Sequence, residues 1–325
     1  MKYFLKICGF QELGSVGSDG KPKRGRYLLT SMNQSVLDFF PPLSREILND
    51  CTVLPVIPLY SGKKVYCNYV YHNSKFNAVT SKNNRNEYRI YLNRALENNE
   101  LYFGAQDIVV MRADDTPASE QTFYYLFLIR NHSSSEYLNA SQIIARSAIK
   151  GNFGIFEGEL DFFENAVRIL NASSSNGEVI IDDSVTARIA QSSERTQENV
   201  FNTATFRDFV LTGYGNACAI TGQIADSGLT GNIDVVYIKP RAMGGACLPS
   251  NGIALASNLS LPFLQGLFTI TEQYVVRVHP SVKDDYLRSL DGRQIRIPPH
   301  DFFRPAQDNL RFHRDIIWGS NLADN

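Results

Sequence analysis

The segments TFRDFVLTGYGNACAITG (205–222), NIDVVYIKPRAMGG (232–245) and PSNGIALASNLSLPFLQG (249–266) decide the fold of the C-terminal part of the chain. The first segment predicts an amphipathic helix followed by a tight glycine turn. The second predicts a strand, in which alternation places Asp234 and Tyr237 on opposite faces. The order of helix, turn and strand therefore indicates a small mixed domain.

These segments resemble the core of the HNH endonuclease domain found in many restriction enzymes. The order and spacing follow that family's F-R-x-x-V-x-x-x-Y helix, its C-A-x-T-G turn, its histidine-bearing strand and its N-G-L-x-L helix start. The matching residues are Phe206, Arg207, Val210, Tyr214, Cys218, Ala219, Thr221, Gly222, Asp234, Ile238, Pro240, Asn251, Gly252, Leu255, Phe263 and Gly266. The resemblance implies a ββα fold, with a helix start at Asn251 and Gly252.

The positions that carry the chemistry of that family hold other residues here. Its first histidine position is Tyr237, its second is Ser260, and the aspartate position that follows is Leu264. A tyrosine with a pKa of about 10 is a poor general base at neutral pH, and leucine offers no metal ligand. Asn251 remains; in the family this residue orients the loop that bears the base. We therefore expect a nuclease scaffold with an emptied metal site.

Two alternatives to an emptied site remain open. If cleavage persists, Mg²⁺ is the expected cofactor, and Tyr237 and Asn251 are the candidate catalytic residues, with Tyr237 donating a proton or hydrogen bond to phosphate. Otherwise a site could be rebuilt from the downstream histidines His279, His300 and His313 with the upstream Asp234, or completed by a partner subunit.

The composition predicts a globular protein of two domains. The chain has 325 residues, of which 43% are hydrophobic and 20% charged. Its five cysteines include no C-x-x-C pair, so we expect buried, reduced thiols in a cytoplasmic protein. The N-terminal residues lack signal-peptide features, and no apolar run is long enough to cross a membrane.

Charge is distributed unevenly along the chain. Residues 1–90 contain 13 Lys and Arg against 6 Asp and Glu, a net charge of +7, and the rest of the chain therefore carries −8. A basic section on a nearly neutral chain is typical of a nucleic-acid-binding module, although an ordinary solvated face would look the same.

Two polar loops concentrate the cations of this basic section. The first, GSVGSDGKPKRGR, carries Lys21, Lys23, Arg24 and Arg26. The second loop and the strand after it carry Lys75, Lys82, Arg85, Asn86 and Arg89. Arg can bind phosphate or guanine through two hydrogen bonds, and Asn can bind adenine in the same way. We therefore take both sets as candidate DNA-binding residues.

The order of strands and loops in residues 1–140 resembles the B3-like pseudobarrel, the DNA-recognition domain of some restriction endonucleases and plant transcription factors. The resemblance implies that both basic loops grip the major groove of double-stranded DNA. We therefore expect an α+β fold with a recognition barrel in residues 1–140, a helical connector in 141–200 and an HNH-like domain in 201–325.

Three functions follow from these patterns. The favoured one is sequence-specific binding of double-stranded DNA by a restriction-endonuclease-like protein with a degenerate nuclease centre. The second is an active, metal-dependent Type II restriction endonuclease with a rebuilt site. The third is a platform for partners other than DNA. A homodimer would suit the two-fold symmetry of a palindromic target.

Overall fold

The computed structural model describes residues 1–15, 17, 22–73, 86–97, 101–114, 121–173, 178–225 and 232–319. The chain forms two compact units, Met1–Val200 and Phe201–Asn325. Helices and strands occur in both units, which confirms the α+β class.

The N-terminal unit alternates strands with short helices before it ends in a helical section. Its elements are β1 (Lys2–Ile7), α1 (Phe10–Leu13), β2 (Tyr27–Thr30), α2 (Gln34–Leu37), β3 (Cys51–Pro58), β4 (Lys64–His72), β5 (Glu87–Tyr91), β6 (Ile108–Asp114), β7 (Phe123–Ile129), α3 (Ser135–Arg146), β8 (Phe153–Glu157), α4 (Asp161–Ala172), β9 (Val179–Ile180), α5 (Asp183–Ala190) and α6 (Glu194–Val200).

The strands of this unit form one curved, barrel-like sheet. Their order is β2-β5-β4-β3-β7-β6-β1-β8, and β9 pairs with β4 beside this path. The ladders are antiparallel except for β3 with β7 and β4 with β9. Since β8 pairs with β1 and β9 with β4, the sheet includes chain that follows residue 140.

Strand alternation divides the apolar residues of this sheet between two cores. In β1, Phe4 enters one core, which also contains Phe39 and Phe40 from the chain around α2. Tyr3 and Leu5 face the other core, which α3 and α4 cover. Both faces of β1 are therefore buried, which is why Tyr3, Phe4 and Leu5 are apolar in succession rather than in strict alternation.

The C-terminal unit is smaller and contains two hairpins. Its elements are α7 (Thr203–Gly213), β10 (Ile233–Tyr237), β11 (Gly252–Ala256), α8 (Ser257–Leu264), β12 (Phe268–Ile270), β13 (Val276–Val278), α9 (Asp285–Arg288) and α10 (Gln307–Phe312). A π-helical turn, His313–Trp318, follows α10. β10 pairs with β11, and β12 pairs with β13, both in antiparallel orientation.

The helix start expected at Asn251 and Gly252 is wrong, because this segment enters strand β11 and the helix begins at Ser257. Pairing with β10 keeps the backbone extended at Gly252, and packing explains why this residue is glycine. A Cβ atom built there would lie 2.4 Å from Cγ2 of Val210 on α7, so only glycine lets the strand approach that helix.

Two composition-based expectations concern the whole chain. All five cysteines are free and buried, as expected. Burial raises the pKa of the Cys67 thiol to about 12, so this thiol stays protonated and inert near neutral pH. Among the described residues, no helix has both the length and the apolar character needed to cross a membrane.

Candidate functional site

The hairpin β10–β11, followed by α8, holds the residues that the sequence resemblance places at nuclease positions. Tyr237 ends β10 and pairs in register with Gly252 at the start of β11. Helix α7 packs against both strands. The chain order is therefore strand, strand, helix, with Asn251 just before the second strand.

Tyr237 is held by a ring stack and a hydrogen bond. Its ring lies against that of Phe206, with centroids 4.3 Å apart and planes inclined by 13°. Its hydroxyl lies 3.2 Å from Sγ of Cys247. Burial, and then the contact with Cys247, raise the pKa of Tyr237 above its usual range. Tyr237 is therefore neutral at physiological pH and cannot accept a proton from water.

Asn251 is fully buried and ties down the loop that follows β10. Its Oδ1 accepts a hydrogen bond from the Lys239 amide at 2.8 Å, and its Nδ2 donates to the carbonyls of Lys239 and Ala246, each at 2.9 Å. The loop passes so closely that a Cβ atom at Gly245 would lie 1.9 Å from the Lys239 carbonyl oxygen. Asn251 is thus a positioning residue whose amide is committed to the backbone.

Ser260 and Leu264 do not complete a metal site. Ser260 is buried on α8, where its hydroxyl donates to the Ala256 carbonyl at 3.4 Å. Leu264 is 45% exposed and has no donor atom for a cation. Together with a neutral Tyr237, these residues do not fit a divalent cation.

The downstream histidines have structural contacts. His313 is buried and stacked on Phe263, with ring centroids 3.9 Å apart. Its Nε2 lies 3.0 Å from the Phe263 carbonyl oxygen and must donate to it, so Nδ1 accepts from the Thr269 hydroxyl at 2.9 Å. Burial lowers the pKa of His313 to about 4. His313 is therefore a neutral histidine whose two ring nitrogens are both hydrogen-bonded within the fold.

The two other downstream histidines also serve local structure. His279 is buried, with Nδ1 2.6 Å from the Ser281 hydroxyl. His300 caps a 3-10 turn through the Phe302 amide. Over the described part of the chain, no three His, Cys, Asp or Glu side chains are grouped closely enough to hold a metal ion.

The first basic loop divides into exposed and buried cations. Lys23 and Arg24 are exposed, and Arg24 donates to the carbonyl of Gln11. Arg26 is only 4% exposed and forms two 2.8 Å bonds to the carboxylate of Glu97. It also donates to the carbonyls of Leu13 and Phe103.

These contacts give Arg26 a structural role rather than the DNA contact expected from sequence. Its partner Glu97 lies outside residues 1–90, and Lys6 is buried against Glu12 at 2.8 Å. Two cations of the basic section are therefore neutralised inside the fold. Lys6 and Glu12 both lie within residues 1–90, so their pairing leaves the net charge of +7 unchanged. The pair of Arg26 with Glu97 lowers the positive charge that this section presents by one.

The second basic segment contributes one described cation. Arg89, on β5, is largely buried; it bonds the carboxylate of Glu87, and its guanidinium carbon lies 3.9 Å from the ring centre of Tyr27. Asn86 is half-buried before β5. The remaining residues of the two DNA-binding sets lie outside the described residues: Lys21, Lys75, Lys82 and Arg85.

Around Arg89 the structure adds aromatic and cationic neighbours that the sequence analysis missed. Tyr27 and Tyr91 are directly opposite each other in the β2–β5 ladder, with ring centroids 6.0 Å apart. Arg188, from α5, lies 4.3 Å from the ring centre of Tyr91. We call Tyr27, Arg89, Tyr91 and Arg188 the arginine–tyrosine row. Alternation along β2 and β5 could have indicated the two tyrosines, but not Arg188.

Arg24 lines two open clefts beside this row. The larger, with a volume of about 670 Å³, also includes Arg26, Asn93, Arg94, Tyr102 and Asp182. The smaller, of about 460 Å³, lies at the β2–β5 edge and is called the edge cleft; it includes Phe10, Arg24, Tyr27, Glu87 and Arg89. The structure thus brings Arg24 and Arg89 to one cleft from separate segments.

Comparisons with known proteins give few matches. No family model matches the chain, and no curated protein matches it either. Among solved structures, similarity is found to a modification-dependent TagI restriction endonuclease, with 23% sequence identity and a TM-score of 0.29. The match covers 35% of this chain and 38% of that one, so it spans well under half of either protein.

Proposed function

We propose that this chain binds double-stranded DNA as a restriction-endonuclease-like protein whose nuclease centre is degenerate. In this proposal the N-terminal unit is a B3-like recognition barrel and the C-terminal unit is an HNH-like domain. The sequence frame from Phe206 to Gly266 supports the second assignment. The curved sheet, with basic residues at its β2–β5 edge, supports the first.

The proposal of a degenerate centre rests on one observation: the residue that positions the loop is retained, while the general base is missing. Asn251 still fixes the loop after β10 through three hydrogen bonds. The strand position that must supply a general base instead holds Tyr237, stacked on Phe206 and neutral. A hydrolytic nuclease needs a proton acceptor and a cation at this point, and the described residues there supply neither.

The DNA-binding part rests on the exposed cations of the first loop and on the arginine–tyrosine row. Lys23 and Arg24 lie at the surface, where they can neutralise phosphates. Arg26, tied to Glu97, positions the loop that carries them. Arg89 and Tyr27 offer a guanidinium and a ring at the same edge, which suits contacts with bases or sugars.

A paired assay on a random duplex library tests both parts. Binding is measured at several salt concentrations, and cleavage is measured with Mg²⁺, Mn²⁺ and Ni²⁺ separately. We expect salt-dependent selection of duplexes without cleavage. Two matched variants are compared. Arg24→Gln lies in the basic loop, and Arg168→Gln replaces an exposed arginine of α4, the helix that covers the other core. Only Arg24→Gln should weaken binding.

Two other outcomes of this assay would support the two alternative functions. Cleavage at a fixed sequence would contradict the degenerate centre and favour an active endonuclease. Absence of both binding and cleavage at low salt would contradict DNA binding altogether and favour a platform for other partners.

A further inference from the structure

The edge cleft has the size of a small-ligand site. Its volume of about 460 Å³ lies within the roughly 300–1,000 Å³ typical of such sites. It opens between α1, the edge strand β2 and the neighbouring strand β5, and Phe10 lies at its rim with 66% of its surface exposed. An exposed phenylalanine beside charged groups offers a flat apolar surface that no other part of the described unit covers.

A hydrogen-bond acceptor and hydrogen-bond donors lie side by side in this cleft. Oε1 of Glu87 accepts from Nη2 of Arg89, while its Oε2 accepts no hydrogen bond from the described residues. The buried Nε of Arg89 likewise has no partner there. Glu12 differs, because Lys6 and the Leu29 amide use both of its oxygens. Glu87 therefore supplies a free acceptor next to arginine donors.

Arg24 adds an exposed donor and a positive charge at the mouth of the cleft. It is exposed, and within the described ranges it forms no salt bridge; its recorded hydrogen bond goes to the Gln11 carbonyl. Lys23 is exposed beside it. A ligand that carries a phosphate outside the cleft and a flat ring inside it would satisfy all of these groups.

We propose that the edge cleft accepts a single unstacked nucleobase of bound DNA, of the kind whose Watson–Crick edge has an amino group beside a ring acceptor: adenine or cytosine. This inference rests on the proposed function. The amino group donates to Oε2 of Glu87, the ring nitrogen accepts from Arg24 or Arg89, and Phe10 stacks on the ring. The flanking phosphate lies against Arg24 and Lys23.

Fluorescence anisotropy with four otherwise identical duplexes tests the inference. One duplex is fully paired, and the others place adenine, cytosine or thymine opposite an abasic site. Because an unpaired base is easier to unstack, we expect the adenine and cytosine duplexes to bind about tenfold more tightly than the paired one. The thymine duplex should gain much less.

Three variants separate the cleft from general DNA binding. Phe10→Ala and Glu87→Gln should abolish the preference for the unpaired base and leave binding of the paired duplex unchanged. Leu48→Ala, which removes an equally exposed apolar side chain from a loop, should keep the preference. A thermal melt of each variant confirms that it is folded.

The failures are distinguishable. Equal binding of all four duplexes would overturn the base site and leave the proposed function standing, whereas no binding of any duplex would overturn both. Tight binding of free dAMP or dCMP that excess duplex does not displace would also overturn the proposal, since the occupant would then be a free nucleotide.

Discussion

The hydroxyl of Tyr237 ends 3.2 Å from Sγ of Cys247, while its ring lies flat against Phe206. The residue at the first histidine position of the nuclease frame is thus a packing element between β10 and α7. Under the proposed function, this arrangement means that the chain keeps the scaffold of a nuclease but lacks its proton acceptor.

Tyr237→Phe should change stability only slightly. The substitution keeps the ring stack on Phe206 and removes the contact with Cys247, so we expect a loss of about 0.5–1.5 kcal/mol in the free energy of unfolding. Urea denaturation followed by the fluorescence of Trp318, the single tryptophan of the chain, measures it. DNA binding should be unaffected. A large loss of affinity would mean that the Tyr237 hydroxyl contacts DNA.

Asn251→Ala should destabilise the C-terminal unit strongly. It leaves the Lys239 amide and the carbonyls of Lys239 and Ala246 without their partner, and buried groups left unpaired cost about 1–3 kcal/mol each. The same Trp318 fluorescence assay follows this unit. Asn258→Ala, an exposed residue of α8, is the control and should have little effect. Equal stability of the two variants would contradict the positioning role of Asn251.

Arg26→Met should destabilise the N-terminal unit by about 3–5 kcal/mol, because it leaves the carboxylate of Glu97 buried without its cation. Adding Glu97→Gln should recover much of that loss. Far-UV circular dichroism during urea denaturation measures both effects. If the Arg26→Met variant is folded and equally stable but binds DNA more weakly, the result would support the contact of Arg26 with DNA that the sequence predicted.

The stability of the C-terminal unit should fall on acidification because of His313. Its folded-state pKa of about 4 lies below the ordinary histidine value of about 6.5, so the unfolded chain binds the extra proton between these pH values. The stabilisation is complete above about pH 6.5 and is lost as the pH falls towards 4. By pH 5 the loss is about 2 kcal/mol.

Unfolding measured by Trp318 fluorescence at pH 7 and pH 5 tests this dependence. His313→Gln should remove most of the difference between the two pH values. His300→Gln, at an exposed capping residue, should keep it. A wild-type protein with equal stability at both pH values would contradict a buried, neutral His313.

Local patterns in the sequence sufficed for much of the fold. The alternation in VVYIKP and the helical spacing of FRDFVLTGY correspond to β10 and α7. They did not suffice at Gly252, where pairing with β10 makes a strand of the expected helix start. That constraint depends on a contact between segments distant in sequence, which no local pattern contains.

The same limit applies to the candidate interface. The composition of the basic loop suggested cations at the surface, and Lys23 and Arg24 are exposed. The same composition does not show whether the side chain of Arg26 points outwards or inwards. Its partner Glu97 is 71 residues away. Arg188 reaches Tyr91 only because α5 folds back beside β3 and β4, so composition near Tyr91 could not reveal it.

The most direct test of the account is the salt dependence of duplex binding by the wild type and by Arg24→Gln, with cleavage monitored in the same samples in the presence of Mg²⁺. We predict that binding weakens linearly on a log–log plot against salt, that the variant lowers the slope by about one, and that the DNA stays intact. Identical slopes for both proteins, or metal-dependent cleavage by the wild type, would contradict it.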